Sequence, residues 1–267
     1  MEDLERALDS AIKAVTGAGQ IVKASLGGQF KTDFKSCPAD LVTEVDRRSQ
    51  SYIIEHLGSS FPGHRLVAEE DFCGDDLELD DRPAWFIDPL DGTTNFVFGI
   101  PLCTVTAALT VEAVPVLGVT YDPFREEIYS AVRGRGSFLN GRRITVDSTR
   151  NKVAQSLINT GYPSSHTFKE EMWRADFKKI LYKAIDLRAF GSAALELAYI
   201  ACGRLTGYWE SKLRPWDVAA GILLVEEAGG RVSNLTGDPL KLENYISIVA
   251  SNSLIHDELV GDLGYAG

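Results

Sequence analysis

The sequence predicts a layered α/β (α+β) fold made of two subdomains that meet at a cleft. Three observations predict it. The first half carries two helical stretches and then a meander of short strands. From about residue 147 the pattern changes to alternating strand and helix. Within that second half, Ser192 to Cys202 and Val218 to Ala228 are nearly all apolar at helical length, so both are buried helices. The expected division is residues 1–146 and 147–267.

The elements follow in chain order. Leu4, Leu8, Ile12 and Val15, then Val22 and Leu26, mark one helix face, and Gly27-Gly28 ends it. Residues 29–40 are polar around Pro38 and read as a loop. A second helix is expected from about Leu41 into Leu57. Leu66-Val67-Ala68 is a short strand capped by Glu69-Glu70, and the acidic stretch from Asp71 to Asp81 is a solvated connection. Trp85-Phe86-Ile87 is a buried strand that ends in Asp88-Pro89-Leu90-Asp91-Gly92-Thr93-Thr94. Pro89 prevents the ladder from continuing, and Gly92 lets backbone approach a ligand closely.

Strands at Val105–Thr110, Pro115–Tyr121 and Glu127–Val132 follow, and Asn140-Gly141 predicts a type I′ hairpin. In the second half, strands are expected at Ser156–Asn159, Asp186–Phe190, Leu205–Trp209 and Ile246–Ala250. Helices are expected at Thr167–Tyr182 and Ser253–Leu263, beside the two buried ones, which Gly203 and Gly229-Gly230 stop.

Bulk properties narrow the function. A chain of 267 residues can bury a large core in one or two domains. No apolar run reaches the roughly 20 residues of a membrane span. The acidic start, Met1-Glu2-Asp3, lacks the pattern of a secretory leader. Four cysteines (Cys37, Cys73, Cys103, Cys202) form no CxxC pair, as expected of reduced thiols in a cytoplasmic protein. The net charge of −11 argues against nucleic-acid and acidic-membrane partners. It also repels an anionic substrate unless bound cations reverse the local field.

Five acidic residues sit at element ends: Glu69, Glu70, Asp88, Asp91 and Asp217. Any one alone reads as a cap or a solvated charge. Asp88 and Asp91 flanking Pro89 directly after Trp-Phe-Ile change that balance. Carboxylates at the end of a buried strand need a cation, and hard oxygen donors select Mg²⁺ or a similar ion. Gly92-Thr93-Thr94-Asn95 can offer successive backbone N–H groups to an anion, and Gly191-Ser192-Ala193 opens a second helix in the same way.

Competing motifs fail. An EF-hand starting at Asp88 would need a glutamate at Gly99. An aspartyl-phosphate motif of the D-x-D-G-T kind would need a carboxylate where Pro89 stands. Attack by metal-activated water is therefore favoured over covalent catalysis through Asp88. No G-x-S-x-G elbow supports a serine hydrolase. The histidines show no ligand spacing, Gly134-Arg135-Gly136 lies inside the meander as a bulge or turn, and Asn234-Leu235-Thr236 carries no weight as a glycosylation acceptor.

These residues resemble the inositol monophosphatase family of Mg²⁺-dependent, lithium-sensitive phosphomonoesterases. One signature is Trp85 to Phe96. The other is Trp216-Asp217-Val218-Ala219-Ala220-Gly221 with Glu227-Ala228-Gly229-Gly230. Asp40 to Asp46, Ala68-Glu69-Glu70 and Gly191-Ser192-Ala193-Ala194 support it in family order. The resemblance implies a five-layer αβαβα sandwich of the sugar-phosphatase type and a homodimer. It implies two to three Mg²⁺ ions. Glu69, Asp88 and the Leu90 carbonyl would hold one, and Asp88, Asp91 and Asp217 a second. Glu69 would also touch a weaker third.

Thr93 and Asp46 would orient the attacking water, with Glu69 completing the catalytic set. Gly92 and Thr93 N–H groups would grip phosphate, with Glu69, Leu90, Asp91 and Asp217 also facing the substrate. Gly191, Ser192, Ala193 and Glu210 would face its alcohol, and Lys35 matches a lysine of a mobile loop. The expected activity is hydrolysis of a small polyol phosphomonoester, myo-inositol 1-phosphate first. Ser211-Lys212-Leu213-Arg214-Pro215 departs from the animal-enzyme pattern, which leaves histidinol phosphate and fructose 1,6-bisphosphate as alternatives. A reading of another class is a regulatory binding protein with a vestigial metal site.

Overall fold

The computed structural model describes residues 2–35, 40–72, 77, 82–162 and 177–265. Helix α1 (Glu2–Ser25) leads into a two-stranded antiparallel ribbon, β1 (Thr32–Phe34) and β2 (Leu41–Thr43). Helix α2 (Glu44–Ser60), strand β3 (Arg65–Ala68) and a 3₁₀ turn at Glu69–Asp71 follow. Next come β4 (Ala84–Asp91), the short α3 (Thr93–Val97), β5 (Thr104–Val111), β6 (Val114–Asp122), β7 (Glu127–Val132), β8 (Gly136–Leu139) and β9 (Arg142–Ile144). The second half holds β10 (Leu157–Thr160), α4 (Phe177–Lys183), β11 (Asp186–Arg188), α5 (Ala193–Ala201) and β12 (Gly207–Leu213). It closes with α6 (Pro215–Glu227), β13 (Arg231–Ser233), β14 (Ile246–Ser251) and α7 (His256–Leu263).

The elements stack in five layers, αβαβα. β3 to β9 form one seven-stranded sheet in sequence order, antiparallel except for the parallel β3–β4 pair. The other sheet has the order β11-β10-β12-β14-β13, with β10 parallel to both its neighbours. Alternation along β4 shows how the layers divide. Trp85 and Ile87 pack under α1 and α2, whereas Phe86 faces the core around α5 and α6. That central pair also covers Tyr208, Ile248 and Ala250 of the second sheet. Helices α4 and α7 close its outer face over Trp209 and Val249. Both nearly apolar helices therefore lie sandwiched between sheets, as their composition requires.

Several expectations are corrected. The segment 29–40, read as loop, contributes β1, and residues 36–39 lie outside the described residues. The second helix starts at Glu44 rather than Leu41, because Thr43 caps it: its hydroxyl accepts the Val45 N–H at 3.1 Å, and Asp46 accepts the Thr43 N–H at 2.8 Å. Pro89 does not end β4. The ladder skips between Asp88 and Asp91 as a bulge and resumes at the Asp91–Thr104 pair. Helix α6 begins at Pro215, which suits a first helical position, and strand β13 was not expected. The expected helix Thr167–Tyr182 is described only from Phe177, so its first part lies outside the described residues. The same holds for most of the acidic connection Asp71–Asp81 and for Cys37 and Cys73. The Asn140-Gly141 hairpin stands, with φ of 49° and 74°. No helix among the described residues is long and apolar enough to cross a membrane.

Candidate metal centre and its cavity

The site is assembled by one face of α2. Asp46, Ser49 and Gln50 are buried and point the same way, at spacings that share a helix face. Ser49 Oγ donates to the Pro89 carbonyl at 2.7 Å, so the bulge of β4 is fixed from behind. Gln50 Oε1 accepts the Glu70 N–H at 2.9 Å, which holds the acidic turn after β3. Thr93 Oγ1 lies 2.9 Å from Asp46 Oδ1 and 3.0 Å from the Leu90 carbonyl. A hydroxyl has one proton, so donation to Asp46 leaves the Leu90 oxygen open to another partner.

The bulge carries two carboxylates to one spot. Asp88 is 2% exposed, and its Oδ1 accepts the Leu90 N–H at 2.9 Å. Asp91 Oδ2 accepts the Ser192 hydroxyl at 2.7 Å and the Ala194 N–H at 2.8 Å. It thereby caps α5 from another strand, where the helix dipole favours negative charge. Asp217, third in α6, accepts the Arg214 N–H at 2.7 Å and turns its carboxylate toward the same spot. Carboxylate oxygens of Glu69, Asp88 and Asp217 all lie within 4.8 Å of one another, close enough to share an ion.

A cavity of about 180 Å³ opens over this cluster. The expected site residues Glu69, Asp88, Leu90, Asp91, Gly92 and Thr93 line it, and Gly191, Ser192, Ala193, Glu210 and Asp217 complete the wall. Asp46 sits behind it, reaching in through Thr93. Gly161, Tyr162 and Leu213 also line it and went unread in the sequence. Gly161-Tyr162 follows a parallel strand, the end where α/β sheets hold ligands, and that position was the available signal.

Among the described residues, the lining includes five carboxylates and no lysine, arginine or histidine. Burial pushes Asp88 well above the usual carboxylate range, helped by the charges of Glu69, Asp91 and Asp217. Burial raises Asp217 in the same way, with Glu69 and Asp91 adding to it. Asp91 is pushed up to about 6 by burial, although the Ser192 hydroxyl and Ala194 N–H pull against it. Burial takes Glu210 to about 7, eased by the Tyr208 hydroxyl that donates to it. Asp46 is raised by burial, offset by its bonds from Thr43. At the mouth, Lys35 Nζ lies 2.7 Å from both Glu69 Oε1 and Glu70 Oε1. Burial works against its charge, but the two carboxylates outweigh that and raise its pKa.

An all-oxygen, strongly acidic donor set with raised pKa values fits a hard divalent cation. Such a cation would supply the missing positive charge. The same wall would reject a phosphate ester on its own.

Comparison with known proteins agrees with this geometry. The family model described as the inositol monophosphatase family matches residues 3–264. An inositol-1-monophosphatase of Synechocystis is 39% identical over 257 residues, covering 96% of this chain and 88% of that protein. A Nus factor SuhB of Pasteurella multocida is 37% identical over 254 residues, covering 94% of each. The solved inositol monophosphatase of Anabaena superimposes with a TM-score of 0.84 at 36% identity, over 98% of this chain and 96% of that one. A match along nearly the whole chain, a shared layered fold and a cavity of convergent carboxylates lead to one conclusion: this chain belongs to the inositol monophosphatase family.

Proposed function

We propose that the chain is a Mg²⁺-dependent phosphatase of small polyol monophosphates, with myo-inositol 1-phosphate as the first substrate. The observation that carries the reading is the convergence of five carboxylates on one cavity wall, with no cationic side chain among its described residues. An ester dianion is stable there only alongside divalent ions. Glu69, Asp88 and the Leu90 carbonyl would hold one Mg²⁺, and Asp88, Asp91 and Asp217 another. Glu69 would contact a third. Bound Mg²⁺ would neutralise phosphoryl charge and lower the pKa of water.

The chain's own residues do the rest. Asp46 accepts the Thr93 hydroxyl proton, which turns a Thr93 lone pair toward the attacking water and orients it. Glu69 completes this catalytic set. The N–H groups of Gly92 and Thr93 stand at the start of α3, where they have no intrahelical partner and suit phosphate oxygens. Gly191, Ser192 and Ala193 wall the alcohol end. Glu210, held by Tyr208, accepts hydrogen bonds from substrate hydroxyls there. A second phosphate at that end would meet Glu210 instead of a cation, which argues for a monophosphate over fructose 1,6-bisphosphate.

The test is a phosphate-release screen over polyol, sugar, nucleotide and histidinol phosphates, with Mg²⁺ and again with chelator. Chelator-sensitive turnover, greatest for polyol monophosphates, supports the reading. Inositol phosphate among the poorest substrates would overturn the substrate assignment. A second reading rests on the relative named Nus factor SuhB: a partner-binding role, with the metal site structural. Mg²⁺ binding without any phosphate release would favour it.

A further inference from the structure

Glu196 is a carboxylate with no part in the chemistry above. It interrupts the apolar run of α5 and is 0% exposed. Its Oε1 accepts two backbone N–H groups, from Phe190 at 2.7 Å and from Gly191 at 3.2 Å. Its Oε2 is buried without a protein partner. Burying a carboxylate is costly, and no cation pairs with it among the described residues. What the cost maintains is the shape of one short segment.

That segment is gripped from the other side as well. Asn95, two residues after Thr93, donates through Nδ2 to the Phe190 carbonyl at 2.6 Å and to the Leu102 carbonyl at 2.8 Å. Both amide hydrogens are thereby used. The Phe190 residue is thus pinned at its N–H by α5 and at its C=O by α3. Gly191 follows with φ of 74°, a conformation an L side chain rarely adopts. Its carbonyl packs so closely on Gly92 that a Cβ there would lie 3.2 Å from it. Gly92 and Gly191 both line the cavity, and in the phosphatase reading the first faces phosphate and the second the alcohol.

We propose that Glu196 is a positioning residue that fixes the Phe190–Gly191 segment and so sets the width of the alcohol end of the site. This rests on the phosphatase reading. Glu196 touches no substrate. Its contribution is to keep Gly191 at a fixed distance from Gly92, so that the ester enters a preformed slot and not a loop that must first be ordered.

The test compares Glu196→Ala with Glu196→Gln. Glutamine keeps an oxygen that accepts both N–H groups, whereas alanine removes the acceptor that both share. In Glu196→Ala, KM for myo-inositol 1-phosphate should rise by about tenfold or more, while calorimetric Mg²⁺ affinity changes by less than about threefold. In Glu196→Gln, KM should stay within about twofold of the wild type. Amide hydrogen exchange at Phe190 and Gly191 should accelerate in the alanine variant alone. An unchanged KM in the alanine variant, or a glutamine variant as impaired as alanine, overturns the proposal. If the wild type hydrolyses no ester at all, the phosphatase reading fails. The exchange rates still decide whether Glu196 holds the segment.

Discussion

Asp88 is the residue on which both chemistry and metal-free strain converge. It is almost fully buried, its nearest charged neighbours are carboxylates, and burial and repulsion together favour its neutral form. Asp88→Asn removes a proposed ligand but not a hydrogen-bond acceptor for the Leu90 N–H. The expected outcome is a fall in phosphate release of at least about a hundredfold, with a metal-free Tm at or above that of the wild type. The rise in Tm on adding Mg²⁺ should disappear. Asp217→Asn should behave alike, and near wild-type turnover in either variant would refute the ligand assignment. The same shifts predict a pH dependence. Asp91 titrates near 6 in the metal-free fold, above its unfolded value, so the folded state binds more protons between those two values. Its contribution to metal-free stability is present at low pH and is lost as pH rises through about 6. Mg²⁺ needs the deprotonated carboxylate and gains over the same interval. Melting curves at pH 5.5 and 7.5, with and without Mg²⁺, should show the larger Mg²⁺-induced shift at pH 7.5. Equal shifts at both values would mean that Asp91 is not a ligand.

At the scale of elements, the position of α6 decides whether Asp217 reaches Asp88. Gly118 in β6 lies beneath that helix, and a Cβ there would stand 2.7 Å from the Ala220 Cα. Gly118→Ala pushes helix from sheet, with an overpacking cost of about 1–3 kcal/mol. Thermal melting should show the loss, at roughly 2–4 °C per kcal/mol for a chain of this size. Because α6 carries Asp217, Mg²⁺ affinity should fall too, although Gly118 does not line the cavity. An unchanged Mg²⁺ affinity in a destabilised variant would show that α6 does not set the ligand geometry. This coupling also explains what could be read in advance. Trp85 to Thr94 announced a buried strand that ends in converging carboxylates, because burial, proline and paired carboxylates conflict within ten residues unless an ion resolves them. The apolar runs of α5 and α6 announced helices covered on both faces. Strand β13 and ribbon strand β1 are three residues each, too short for periodicity to mark them. The α2 boundary was misjudged because Leu41-Val42 continues the apolar pattern, although Thr43 and Asp46 already spelled a cap. Leu213 could not be assigned from the sequence, because the other cavity-lining residues lie far along the chain and only the fold brings them together. Glu196, whose partners Phe190 and Gly191 are only six and five residues away, was hidden inside an apolar run that reads as plain core.

At the scale of the whole molecule, the net charge of −11 and the acidic cavity impose an order of events. A phosphate approaching the metal-free protein meets repulsion from the overall field and again from five carboxylates at the wall. Lys35 offsets part of this at the mouth, but its ammonium is already shared between Glu69 and Glu70. Anion binding should therefore depend on prior cation binding, not merely be improved by it. Inorganic phosphate, which has no alcohol to recognise, isolates this dependence. Titrated calorimetrically into chelator-treated protein, it should give no binding heat. With Mg²⁺ at about a hundred times its Kd, phosphate should bind, and Mg²⁺ alone should raise the unfolding free energy by about 2.7 kcal/mol for each site filled. Lithium, a single charge in place of a double one, should weaken phosphate release when added against Mg²⁺. Saturable phosphate binding in the presence of chelator would mean that backbone N–H groups suffice, and the requirement for cations at this site would have to be abandoned.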